Sequence, residues 1–264
     1  MSATTKNKNG FPEFTPVHSQ RASDEIAQRI RLLVASKQLR TGDRLPSERE
    51  LSSSFNVGRN TLREALRSLE IGGLIEMKKG GTGGAFITAG GSDAVVTSLL
   101  DLYHLGTITP TQLTEARLWI ETIVVEVAAA RLTDDDLAAL EANLEETQRA
   151  EDAGDFATRA AVGLEFHSLL GKATKNPILS ITMEALIELT RQFVATLGPE
   201  PNRFALPSKR RFVASLKAGD VAAAKEEMMN YLHKVQTLYL SRLEKAEAEE
   251  ADEEAGKTKV RLRR

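Results

Sequence analysis

The sequence predicts a mainly α-helical protein in two parts: an N-terminal winged helix-turn-helix followed by an all-α antiparallel bundle. Three observations lead there. Residues 46 to 88 hold two short helical signals, a tight turn between them, and two strand signals around a glycine-rich tip. From Asp93 onward the apolar residues recur at helical spacing with no alternating strand pattern. Between these regions, Ala89-Gly90-Gly91-Ser92 reads as a linker.

Ser47 followed three residues later by Glu50 is a capping box that starts a helix, and Leu51 and Phe55, four apart, give it an apolar face. Asn56-Val57-Gly58 breaks it, because Asn and Gly tolerate turn conformations. The spacing predicts a second helix over Arg59 to Ile71, with Leu62, Leu66 and Leu69 on one face. Arg59, Asn60, Arg63 and Arg67 point elsewhere, so an apolar face and a basic face are separated. Gly72 and Gly73 allow a left-handed cap, and Leu74 to Lys79 and Ala85 to Thr88 read as two short strands. Lys78 and Lys79 flank the tip formed by Gly80, Gly81, Thr82, Gly83 and Gly84.

In the second part, helices are expected at about 93–103, 110–131, 134–152, 155–174, 177–197, 206–218 and 220–247. Breaks fall at Thr109-Pro110, Thr133-Asp134, Gly154-Asp155, Asn176-Pro177, Gly198-Pro199-Glu200-Pro201 and Gly219-Asp220, each with a turn or cap residue. The resulting organisation is a flexible segment 1–16, a helix-turn-helix unit 17–88, a linker 89–92, a helical unit 93–246 and a charged, disordered tail 247–264. That tail runs from the acidic EAEEADEE to the basic KTKVRLRR and reads as solvated.

Composition fits this division. A chain of 264 residues with 41% hydrophobic residues can form two cores. Residues 17–88 hold 12 Lys or Arg against 8 Asp or Glu, whereas residues 92–246 hold 16 against 22, so positive charge collects where the helix-turn-helix lies. The absence of cysteine excludes disulfides and thiolate metal sites and agrees with a reducing cytoplasm. No apolar run approaches the ~20 residues needed to cross a bilayer, and the first residues lack a secretory signal. Paired carboxylates with a plausible base, a nucleophile motif, a P-loop and a dinucleotide fingerprint are all missing, so an enzyme is not expected.

The run LPSERELSSSFNVGRNTLREALRSLEIGGLIEMKKGGTGGAFI resembles the winged-helix signature of the bacterial GntR regulators. The resemblance implies that Arg49, Arg59 and Arg63 reach phosphates and guanine edges, with Asn60 and Thr61 at the start of the recognition helix. It implies too that the wing around Lys79, Gly80 and Gly81 enters the neighbouring minor groove. Gly58 stands where relatives carry Ser or Thr as helix cap, a change worth only a few tenths of a kcal/mol. Arg67 could instead pair with Glu64 or Glu70.

The second half resembles the FadR-like branch of that family, whose effector-binding part is called the FCD domain. The resemblance rests on EARLWIETIVVEVAAARLT, LEFHSLLGKATKNPIL and SLKAGDVAAAKEEMMNYL. Many such relatives hold a divalent metal through one Asp and three His. Here His167 occupies one ligand position, but the others fall on Gly163, Lys209 and Tyr231, so one ligand in four remains. His233 and Glu165 are rotated about 200° from the positions that would help.

The expectation is a pocket with no metal or other cofactor, in which Arg117, His167, Lys209 and Tyr231 receive a small acidic effector. The plainer alternative is that Lys209 lies on an exposed patch with Arg210 and Arg211 and that His167 is a satisfied core histidine. Together the readings imply a homodimeric repressor of an inverted-repeat operator. A helical-domain enzyme and an effector-independent DNA-binding protein are the alternatives.

Overall fold

The computed structural model describes residues 19–80, 83–198 and 202–261. Among them are ten helices and a two-stranded antiparallel sheet. The chain divides into two compact units, with the division between Ala94 and Val95. The segment 1–16 lies outside the described residues.

In the first unit, α1 spans Ser19–Ala35, α2 Glu48–Ser54 and α3 Arg59–Ile71, followed by β1 Ile75–Lys78 and β2 Gly84–Ile87. The capping box at Ser47 and Glu50 forms in both directions, fixing the start of α2. Asn56 adopts φ 51°, the left-handed turn position that its short polar side chain tolerates. At the end of α3 only Gly73 is left-handed, at φ 70°; Gly72 keeps φ −73° and donates its N–H to the Ser68 carbonyl. The strands pair with Ile75 opposite Ile87 and Lys78 opposite Gly84. Sequence reasoning assigned no helix before Pro46, but Ile26, Ala27 and Ile30 of α1 are buried against Leu62, Ala65 and Leu69 of α3. An apolar stripe at Ile26, Ile30 and Val34 was the available signal. This packing leaves the opposite face of α3 open.

The second unit contains α4 Asp93–His104, α5 Pro110–Ala129, α6 Asp134–Asp152, α7 Phe156–Ala173, α8 Pro177–Leu197, α9 Ala205–Lys217 and α10 Val221–Arg261. Reciprocal capping boxes at Thr109/Gln112 and Thr133/Asp136 start α5 and α6, and Asp155, Asn176 and Asp220 accept N–H groups at the starts of α7, α8 and α10. Helix α6 packs on α7, α7 on α8, and α9 on α10, which also packs on α5. Phe166, Met183, Leu140 and Phe212 lie at the centre of this core. Gly171 permits the approach of α7 to α8, since a Cβ there would lie 2.9 Å from that of Met183. A second cluster of Leu113, Leu186, Leu189 and Phe193 is covered by Leu99, Leu100 and Tyr103 of α4.

Helix α10 extends past residue 246 to Arg261, into the charged tail, whose last residues, 262–264, lie outside the described residues. Its Glu, Ala and Lys are strong helix formers and no proline interrupts them, so local propensity favours continuation of a helix already nucleated in the bundle. No helix is long and apolar enough to cross a membrane among the described residues.

Candidate functional site

The first unit presents a cationic helix start. Arg59, Asn60, Arg63 and Arg67 are exposed on α3 and Thr61 is half-buried, while Leu62, Ala65, Leu66 and Leu69 fill the core. Burial of the leucine face therefore orients the arginines. Arg49 of α2 is exposed as well. Arg67 forms no ion pair with Glu64 or Glu70 among the described residues. Lys79 and Gly80 lie exposed after β1, whereas Gly81 falls outside the described residues. Lys78 stands 5.2 Å from the centre of the Phe86 ring and 3.5 Å from Glu76. One contact was not anticipated: Arg63 Nε donates to Glu48 Oε2 at 2.8 Å, joining α2 to α3.

In the second unit, the four residues singled out from sequence meet inside the bundle. Arg117, His167, Lys209 and Tyr231 are 3%, 0%, 2% and 7% exposed. They come from α5, α7, α9 and α10 respectively. The exposed-patch alternative for Lys209 fails, because Arg210 and Arg211 face solvent and bond Gln148 and Glu227 while Lys209 turns inward. Its ammonium donates to the Gly163 carbonyl and stands 4.8 Å and 5.5 Å from the ring centres of Phe166 and Tyr231. The imidazole of His167 stacks on Tyr231 at 5.6 Å. His233 and Glu165 are exposed, as their helical rotation requires.

Glu121, a residue that sequence reasoning missed, organises this cluster. It follows Arg117 by one helical turn, and Arg117 Nε donates to its Oε1 at 2.5 Å. Its Oε2 lies 2.6 Å from His167 Nδ1. The i,i+4 spacing to Arg117 was the only local hint, because an apolar neighbourhood for a charged pair cannot be read from spacing. Burial pushes the Glu121 carboxyl up, but the Arg117 and His167 contacts outweigh it and hold the pKa at about 2. Burial pushes His167 down to about 3, Glu121 opposing and Arg117 and Lys209 reinforcing the shift. A neutral His167 beside an ionised Glu121 carries its proton on Nδ1, which leaves Nε2 as an acceptor. Among the described residues neither His167 Nε2 nor Arg117 Nη2 finds a hydrogen-bond partner. Burial, then the Arg117 charge, lowers Lys209 to about 7, and burial raises the Tyr231 phenol.

This donor set does not fit a divalent metal. Both Glu121 oxygens are engaged, position 163 has no side chain, and an ammonium and a guanidinium would repel a cation beside His167 Nε2. Among the described residues no three His, Cys, Asp or Glu side chains gather in a metal-binding group. The cluster suits an anion instead: a buried ammonium lies with an unpartnered guanidinium N–H in a site of low dielectric.

The three shifted groups make stability acid-sensitive in one direction. Unfolded His167 takes up a proton near 6.5 but the folded form only near 3, and Glu121 behaves likewise between 4.5 and about 2, so stability falls as pH drops through both windows. Lys209 adds the same sign between about 7 and 10.5, where the unfolded chain holds the extra proton. Urea unfolding at pH 8, 6 and 4 is expected to give steadily lower stability, with the loss between pH 6 and 4 reduced by about 2 kcal/mol in His167→Gln, at ~1.4 kcal/mol per pH unit for one proton.

Comparison with known proteins agrees with this arrangement. The profile described as "Bacterial regulatory proteins, gntR family" matches residues 22–87, and that of the FCD domain matches residues 112–234. The HTH-type transcriptional repressor NanR of Salmonella newport is 30% identical over 178 residues, covering 66% of this chain and 66% of that protein. The protein of the same name from Salmonella arizonae is equally similar, with 65% of its length covered. A solved structure, Streptococcus agalactiae GntR, superposes with a TM-score of 0.63 at 26% identity, covering 81% of this chain and 99% of that one. A winged helix-turn-helix with outward arginines, joined in one chain to a helical unit of the FCD type, thus places this protein in the GntR family of bacterial regulatory proteins.

Proposed function

We propose that the protein is a homodimeric, cytoplasmic transcriptional repressor that binds an inverted-repeat operator through α3 and its wing and responds to a small organic acid held in the core of the helical unit. The relatives named as repressors support the sign of regulation. The observation that carries the effector reading is the buried ammonium of Lys209, which among the described residues has no carboxylate hydrogen-bonded to it, in the same core as an Arg117 Nη2 without a partner. Glu121, the carboxylate that attracts Lys209, is already engaged by Arg117 and His167, so the core carries an excess of positive charge that an acidic ligand would neutralise. An effector-independent DNA-binding protein would have no use for such a core.

Two features of α5 support the dimer. Trp119 and Ile123 lie one turn apart and are 61% and 54% exposed, an apolar stripe that a second copy would cover. Two helix-turn-helix units then read two half-sites, and bivalent attachment multiplies a modest half-site affinity. Effector binding shifts the population between dimer shapes whose α3 helices do or do not match the half-site spacing, through unequal affinity for the two states. The experiment is selection of duplexes from a random pool with the full chain, followed by mass measurement of the complex. Two protomers on a palindromic site, with salt-sensitive affinity, are expected; one protomer on an asymmetric site would count against the proposal.

Lys209→Met separates the effector reading from simple folding. Removing the buried ammonium is expected to stabilise the ligand-free protein by about 1–3 kcal/mol and to abolish stabilisation by acids. In the parent protein, an acid at a hundred times its Kd should add ~2.7 kcal/mol and do so equally after chelator treatment. Equal acid-induced shifts in parent and variant would sink the assignment of Lys209, and a stoichiometric bound metal would sink the metal-free site.

A further inference from the structure

The contact between Glu48 and Arg63 points to a function for a residue that the DNA-binding pattern leaves out. Glu48 opens α2, is half-buried, and accepts from Arg63 Nε at 2.8 Å across the helix-turn-helix. The arginine side chain is 62% exposed and that of Glu48 33%, so the pair sits in water, where such contacts add little to stability. Its effect is geometric. An arginine on an exposed helix has several rotatable bonds and samples many orientations, and binding a base edge in one of them costs that freedom. Because Glu48 engages Nε, one orientation of the guanidinium is selected before DNA arrives, and both terminal Nη groups remain available. Those two groups are the ones that can meet O6 and N7 of a guanine end-on.

Glu48 is well suited to this task for two further reasons. Its backbone is fixed by the neighbouring capping box of Ser47 and Glu50, so the carboxylate projects from a pinned helix start. It is also an anion on the face that would approach phosphate, and no other cation is paired with it among the described residues. On a duplex without the matching guanine, that negative charge opposes backbone binding and is not offset by a base contact.

We propose that Glu48 is a positioning residue that sets operator specificity by holding Arg63 in its base-reading orientation and by penalising binding to unmatched DNA. This rests on the reading of α3 as the recognition helix and of Arg63 as a base-contacting arginine. The pair is a specificity device on the protein surface rather than a stabilising bridge.

The test uses the full chain and a duplex selected with it from a random pool. Affinities for that duplex and for a scrambled one are measured by fluorescence anisotropy for the parent, Glu48→Gln, Arg63→Ala and the double variant, with thermal melting as the folding control. Glu48→Gln is expected to lower the ratio of selected to scrambled affinity by roughly 3- to 10-fold, a part of the discrimination one bidentate pair supplies, with scrambled binding unchanged or tighter. In the Arg63→Ala background the same change should alter the ratio by less than about 2-fold, because coupled residues are not additive. A full and independent effect of Glu48→Gln in that background, or an unchanged ratio in the single variant, overturns the proposal while leaving the recognition helix intact. An unchanged ratio in Arg63→Ala removes the reading of Arg63 and the proposal with it. If Glu48→Gln melts more than a few degrees lower, Glu48→Asp, which keeps the charge but shortens the reach, must still lose the ratio; restoration of parent selectivity by Asp would overturn the geometric part.

Discussion

Glu121→Ala is expected to cost about 3–5 kcal/mol of unfolding free energy, the range for breaking a buried ion pair by removing one partner. The carboxylate is 1% exposed and is the shared acceptor for Arg117 Nε at 2.5 Å and His167 Nδ1 at 2.6 Å. Its loss leaves a guanidinium in the core without its carboxylate and an imidazole N–H without an acceptor. It also leaves Arg117 and Lys209 as neighbouring core cations without the charge that attracts both. The same substitution should push Lys209 further below its parent value, since Glu121 is the group that raises it. Chemical denaturation of the full chain measures the first effect; the two-unit organisation predicts that only the transition of the helical unit moves. A cost under about 1 kcal/mol would mean that the carboxylate is not the counter-ion of the core. Glu121→Gln, which retains acceptor geometry at one oxygen but not the charge, should fall between.

Loss of both Arg59 and Arg63 should have the second large effect. Each alanine substitution is expected to remove about 1–3 kcal/mol of operator binding where the guanidinium reads a guanine, or roughly 5- to 150-fold. Both residues are exposed on the first turns of α3 while the leucines of that helix are buried, so the double variant should fold like the parent. The helix has its own core anchors, Leu62 and Leu69, each 0% exposed. Affinity for unrelated DNA should fall much less than affinity for the selected duplex, because sequence discrimination lies in base contacts while general attraction is spread over all cations. Arg67→Ala serves as the comparison: it lies deeper along α3, and a loss confined to the salt slope would mark it as a phosphate contact. Parent-like operator affinity in the double variant would remove the recognition-helix assignment.

Much of the architecture was legible because it rests on local chemistry. The capping boxes, the turn at Asn56, the helix end at Gly73 and the leucine periodicity of α3 are each decided within a few residues, and the bundle breaks at Thr133 and Asn176 are of the same kind. The amphipathic α1 was not assigned from its apolar stripe, and α10 runs on to Arg261, further than its apolar periodicity extends, through Glu, Ala and Lys that favour a helix.

The amino-acid order by itself determined the two-part organisation, the separation of arginines from leucines on α3 and the gathering of Arg117, His167, Lys209 and Tyr231 as candidates, because each follows from helical spacing or from the family pattern. Only the tertiary structure decided that Lys209 is buried, that Glu121 balances Arg117 and His167, and that Glu48 holds Arg63. Desolvation and ion pairing depend on what other helices bring within a few ångströms: His167 meets Glu121 across 46 positions of chain and Arg63 meets Glu48 across 15. No local pattern encodes those distances; packing of the apolar faces creates them.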